Sequence, residues 1–120
     1  MLHGRIVSED GRVVVANAHR TTWFWERMRG LLGTRSLPVG TGLLIDPCAA
    51  VHTIGMRYSL DLIFLDRHGV VVRVCRNVQP GRFSVGDMHA RMTLEVAASW
   101  LPAGVAVGKQ LLFREDDSSR

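Results

Sequence analysis

Residues 60–78 read LDLIFLDRHGVVVRVCRNV, and this stretch decides the fold. Leu60 to Leu65 and Val70 to Val78 are β-prone runs, and Asp66-Arg67-His68-Gly69 between them has the composition of a hairpin turn. Aspartate can bond the backbone that follows it, and glycine takes positive φ without steric cost. Both arms are apolar on both faces, the pattern of a strand covered on each side. The hairpin is therefore expected at the centre of a sheet.

Upstream, Leu43-Leu44-Ile45 reads as a strand ended by Asp46-Pro47, because proline cannot donate to a ladder. Leu37 to Gly42 before it is a loop, and His52 to Met56 after it is a further β-prone run. Near the N-terminus, Gly4 to Ala18 looks like a hairpin, with Arg5-Ile6-Val7 and Val13-Val14-Val15 flanking the turn Glu9-Asp10-Gly11. Thr21-Thr22 offers a cap for a helix running to about Leu32, with Glu26 in its early turns and Gly33 at its C-terminal end. That helix is apolar on most sides and should pack on the sheet, with Trp23 and Trp25 supplying buried area rather than stacking a ligand.

Downstream, Pro80-Gly81 stops the hairpin arm, and Phe83 to Ala90 is loop-like with Gly86-Asp87 as a turn. Met92 to Ala97 reads as a strand carrying Glu95, Ser99 to Gly108 as turn and loop, and Gln110 to Phe113 as a last strand. The expected fold is mainly β: an antiparallel sandwich, jelly-roll-like or an open barrel, with one α-helix from the N-terminal half packed on the sheet. Residues 1–113 form a single globular domain in this reading, and residues 114–120 a polar flexible tail.

The chain has 120 residues, enough to bury one core without disulfide or metal support. With 47% hydrophobic and 22% charged residues, it does not have the composition of a disordered chain. The net charge of +4 comes from 14 arginines and a single lysine, Lys109. These arginines are scattered from Arg5 to Arg120, without a run of three and with few interleaved aromatics, which argues against a nucleic-acid partner. Arg5, Glu9 and Asp10 interrupt the N-terminus, so a secretory signal of the usual form is not expected. The longest uncharged run, Val96 to Gly108, falls short of the ~20 apolar residues that span a bilayer. A soluble, cytoplasmic protein with free thiols is expected.

Several polar residues stand inside apolar surroundings. Asp61 lies between Leu60 and Leu62, where a carboxylate costs several kcal/mol unless something donates to it. It either braces a neighbouring loop or serves a pocket, with Arg57, His52, Thr53, Arg29 or loop N–H groups as donors. Glu95, between Leu94 and Val96, resembles it, and the two could act as paired carboxylates if they share a cavity. Cys48 and His52 are four residues apart. They can be read as a packed cysteine beside a bonded histidine, as nucleophile and base, or as two metal ligands completed by His68 or Cys75. Cys75 is most simply a small buried hydrophobe.

Taken together, these residues resemble the family catalogued as domain of unknown function 192. The resemblance rests on Arg29-Gly30-Leu31, Pro47-Cys48, His52-Thr53, Met56, Leu60-Asp61, Phe64-Leu65-Asp66, Gly69-Val70-Val71, Pro80 and Leu94-Glu95. It covers roughly Arg12 to Phe113, and His52 to Asp66 is its most specific part. Many relatives place a tryptophan–methionine pair where this chain has Gly55-Met56, and a proline where it has Ser59. The resemblance implies a mainly β fold of sandwich or jelly-roll character and no particular reaction.

The residues and the resemblance lead to a ligand-binding or accessory module with a polar pocket around His52 and Asp61. Arg29, Thr53, Met56 and Glu95 are further pocket candidates, and the partner is an unidentified small molecule or protein. One alternative is a hydrolase-like enzyme with Cys48 as nucleophile, His52 as base and Asp61 as orienting acid. The other is a metal-binding protein using Cys48 and His52. Neither a resident cofactor nor a metal enters the main reading.

Overall fold

The computed structural model describes residues 1–21, 37–101 and 104–117. Its strands are β1 (Leu2–Ser8), β2 (Val13–Thr21), β3 (Thr41–Ile45), β4 (Ala50–Val51) and β5 (Leu60–Leu65). They continue as β6 (Val71–Val78), β7 (Val85–Gly86), β8 (Met92–Ala97) and β9 (Leu111–Glu115). Seven of them form one sheet in the order β6-β5-β8-β3-β2-β1-β9, and β4 pairs with β7 in a two-stranded ribbon.

The protein is mainly β, but the large sheet is mixed rather than antiparallel. β2 and β3 run parallel, with Asn17 opposite Thr41 and Thr21 opposite Ile45. Parallel neighbours need a long connection, and 19 residues separate Thr21 from Thr41 in the sequence. The helix expected from Thr21-Thr22 to Leu32 lies outside the described residues, apart from Thr21, which is buried as the last residue of β2. None of the described residues forms an α-helix.

The hairpin expected over residues 60–78 is present, but only one arm is central. β5 lies between β6 and β8 and is buried at every position. β6 stands at the end of the strand order, and its Arg73, Arg76 and Asn77 are exposed. Charged side chains on an edge strand discourage pairing with another chain. The turn forms as its composition requires: Asp66 Oδ1 accepts the N–H groups of His68 (2.8 Å) and Val70 (3.0 Å), and Gly69 adopts a φ of 81°.

The two outermost strands do not splay apart. Val70 bridges to Gln110, Val71 N–H donates to Lys109 O, and Leu111 N–H donates to Gly69 O, each bond 2.8 Å long. The sheet is thus curled until its edges meet at the β5–β6 turn. Ile6, Val15, Leu44, Ile63, Leu65, Val71, Leu94, Val96 and Leu111 form the core on the face shared by both edges. A second core on the other face comprises Leu43, Ile45, Val51, Met56, Leu60, Leu62, Phe64, Val78 and Val85. Fully burying such a side chain contributes roughly 1.5–3 kcal/mol, so two cores sharing β5 explain why this strand carries no exposed position.

Two boundaries differ from the sequence expectation. His52 to Met56 is not a strand; the chain turns there, with Met56 N–H donating to Thr53 O and Gly55 at a φ of 86°. Arg114 and Glu115, expected in the tail, extend β9 and pair with Arg5 and Gly4.

Candidate functional site

Thr53 is buried and ties two loops together. Its hydroxyl donates to Gln79 O (2.7 Å) and accepts from Arg82 N–H (2.9 Å), while its own N–H donates to Arg82 O (2.9 Å). Its carbonyl accepts from Gly81 N–H. Every polar group of Thr53 is therefore engaged in holding the 52–56 turn on the Pro80–Arg82 turn.

Asp61 is fully buried beside an irregularity in β6. Leu60 stands opposite Val78 and Leu62 opposite Cys75, so Arg76 and Asn77 together face Asp61. The extra residue places Asn77 at a φ of 52°, a conformation that asparagine tolerates better than most residues. Asp61 Oδ1 accepts the Asn77 N–H at 2.7 Å, supplying the acceptor that the interrupted ladder withholds. Asp61 Oδ2 is buried with no hydrogen-bond partner among the described residues.

The two buried acids face opposite ways. Asp61 pairs with Val96 and alternates with Ile63 and Leu65, all members of the first core. Glu95, also 0% exposed, stands between Leu43 and Leu62 of the second core. Met56, Cys48, Tyr58 and Cys75 pack on that second core. Cys48 is anchored there by its carbonyl, which accepts from the Thr93 hydroxyl at 2.9 Å, and by its thiol, which donates to Ala50 O at 3.3 Å. Thr93 is two positions from Glu95 on the same face, an advance of about 6.6 Å along a strand. His52 follows Val51 of the second core and is half-buried, with its Nδ1 shielded from solvent. The structure thus gathers Cys48, Met56 and Glu95 on one face and puts Asp61 on the other. Arg29 lies outside the described residues. No group of three histidine, cysteine, aspartate or glutamate side chains suited to a metal occurs among the described residues.

Sequence reasoning missed Asp46, reading Asp46-Pro47 only as a strand end. The Asp46–Pro47 bond is cis, and the Asp46 carboxylate joins two arginines, Arg20 Nη2 at 2.5 Å and Arg91 Nε at 3.2 Å. It was not legible because Arg20 and Arg91 come from distant parts of the chain.

Residues 5–113 match the model of the DUF192 family, described as an "Uncharacterized ACR". The chain belongs to the DUF192 family. Its fold is shared with a crystal structure from Sinorhizobium meliloti 1021, named as a candidate transcription regulator. That likeness has a TM-score of 0.76 and 19% identity, over 93% of this chain and 92% of the other. A protein of unknown function from Novosphingobium aromaticivorans is similar with a TM-score of 0.69 and 21% identity, over 92% and 83% of the two chains. Identities this low carry the fold and no activity. No curated protein matches the sequence. Among the described residues of this DUF192 chain, no helix is long and apolar enough to cross a membrane.

A further polar cluster lies on β1 and β2. His3 and His19 face each other across the ladder with ring centroids 4.7 Å apart, and His3 Nδ1 lies 3.2 Å from Asp116. Partial burial, and secondarily the adjacent His3, holds the His19 pKa below its usual 6.5. As pH falls below that value the unfolded chain takes up the proton first, so stability declines with acidification. His19→Gln should therefore lose less thermal stability than the parent between pH 7.5 and 5.5. Equal losses in melting temperature would count against this account.

Proposed function

We propose that this protein is a ligand-binding or accessory module whose polar site lies on the second-core face. Glu95 is its buried anchor, Cys48 and Met56 form its walls, and His52 stands at its margin. The observation that carries this reading is a carboxylate with no solvent exposure on the apolar face of an interior strand. Burial of an ionisable group is costly, and proteins concentrate such groups where something binds to them. The ligand class that fits is a small molecule presenting a hydrogen-bond donor or a cation to the carboxylate, with apolar parts against Met56 and Leu62.

Asp61 and Thr53 have a different role in this reading. Their hydrogen bonds run to backbone groups of neighbouring segments, so they position the walls rather than touch a ligand. A ligand-observed magnetic resonance screen of amine- and amide-bearing fragments tests the proposal. Fragments that bind should lose about tenfold or more in affinity in Glu95→Gln, in a variant that keeps the parental circular dichroism. Fragments whose binding ignores Glu95→Gln would remove Glu95 from the site.

A further inference from the structure

The opposite end of β5 carries a cleft that the second-core site does not use. It encloses about 220 Å³ where the first core opens at the curled edge of the sheet. Ile6, Leu44, Leu65, Met92, Leu111 and Phe113 supply an apolar lining, and Arg20, Arg67, His68 and Asp46 supply the polar part. Such a combination, an apolar wall with a few convergent polar groups, is the composition of small-molecule sites.

The charges in this cleft are unevenly matched. Asp46 is already held by Arg20 and Arg91, so it answers Arg20 and leaves nothing for a third cation. Arg67 pairs with no carboxylate among the described residues. Its Nε–H donates to His68 Nε2 at 3.2 Å, which leaves the two terminal guanidinium nitrogens for another acceptor. Asp66, its sequence neighbour, spends Oδ1 on the His68 and Val70 N–H groups of the turn. The turn backbone beneath Arg67 is in turn fixed to β9 through Leu111 N–H and Gly69 O. A guanidinium presented on such a base suits a carboxylate held by two parallel hydrogen bonds.

We infer that this cleft binds a small organic monoanion, a carboxylate on an apolar body, with the head group on Arg67 and the body against Leu65, Met92 and Leu111. Among the residues that line the cleft, Asp46 offsets Arg20 and leaves Arg67 in excess, a balance that favours one negative charge over two. The volume falls below the roughly 300–1,000 Å³ of drug-sized sites, which limits the body to about the size of one ring or a short branched chain.

Phenylacetate is a suitable probe, with the neutral isostere phenylacetamide as its control. Titrated into the ¹⁵N-labelled full chain, phenylacetate should shift the amides of Leu65, Gly69, Met92 and Leu111. Phenylacetamide should bind at least tenfold more weakly. Arg67 is exposed, so Arg67→Gln should fold as the parent does, a point its thermal unfolding checks, and should weaken phenylacetate at least tenfold. Acid and amide binding equally well, or phenylacetate binding unaffected by Arg67→Gln, would overturn the inference. Tighter binding of phenyl phosphate than of phenylacetate would overturn the preference for a monoanion. Glu95→Gln should leave phenylacetate binding unchanged, which separates this site from the second-core face.

Discussion

Gly69→Ala should lower the unfolding free energy by about 3 kcal/mol or more. Two costs combine at this position. Gly69 has a φ of 81°, which an alanine adopts only at a penalty of roughly 1–2 kcal/mol. A Cβ there would also lie 2.3 Å from the carbonyl oxygen of Leu111, a separation no real structure tolerates. That oxygen is backbone, so relief requires β9 to move away from the turn. Moving it strains the bonds from Leu111 N–H to Gly69 O and from Val71 N–H to Lys109 O, which bring the sheet edges together. Gly11→Ala is the matched control, since Gly11 has a φ of 83° and open space where its Cβ would stand. It should cost only the conformational part, about 1–2 kcal/mol. Urea unfolding of the two variants measures the difference, and amide exchange should show protection lost at Val71 and Leu111 in Gly69→Ala alone. Equal destabilisation of both variants would mean that the closure contributes nothing measurable.

What could be read before folding, and what could not, follows from how local each feature is. The β5–β6 turn was legible because Asp66 and Gly69 act within four residues, through one carboxylate and one backbone conformation. The edge position of β6 is the opposite case: its signal, Arg73 and Arg76 on an otherwise apolar arm, is outweighed by the valines, and the sequence reads both arms as central. The parallel pairing of β2 with β3 left no local trace, since strand composition does not say which strand lies alongside. The turn at Thr53 was hidden for the same reason. Its β-prone neighbours suggested a strand, while the bonds that fold it back run to Gln79, Gly81 and Arg82.

The separation of the two buried acids shows how far parity can go. Alternation along β5 correctly groups Asp61 with Ile63 and Leu65, and alternation along β8 groups Glu95 with Thr93. Whether those faces coincide depends on the register between the strands, and Asp61 stands opposite Val96 rather than Glu95. A shift of one residue would have put both acids on one face. Their pairing could therefore be posed from sequence and answered only by the fold. The answer assigns them different tasks, one bracing a strand irregularity and one offered as a binding anchor.

That division makes the second large prediction specific. Asp61→Ala should cost about 2–4 kcal/mol, the combined loss of a buried side chain's packing and of the acceptor for Asn77 N–H. Asp61→Asn keeps an oxygen of the same reach while removing a charge whose burial is expensive, so it should stay within about 1 kcal/mol of the parent. The signature lies in the contrast between the two substitutions. A carboxylate whose task is its charge would fail in both, whereas one whose task is to accept the Asn77 N–H fails only in alanine. Denaturant midpoints at constant slope give the energies, and the exchange rate of the Asn77 amide reports the bond itself. In Asp61→Ala that amide should exchange at least tenfold faster, because its other route to an acceptor, the β5 backbone, is out of register where Arg76 and Asn77 face a single residue. Asp61→Asn should preserve most of its protection. An Asn77 amide equally protected in all three proteins would show that the bulge holds its shape without Asp61, and the carboxylate would then need another reason to be buried.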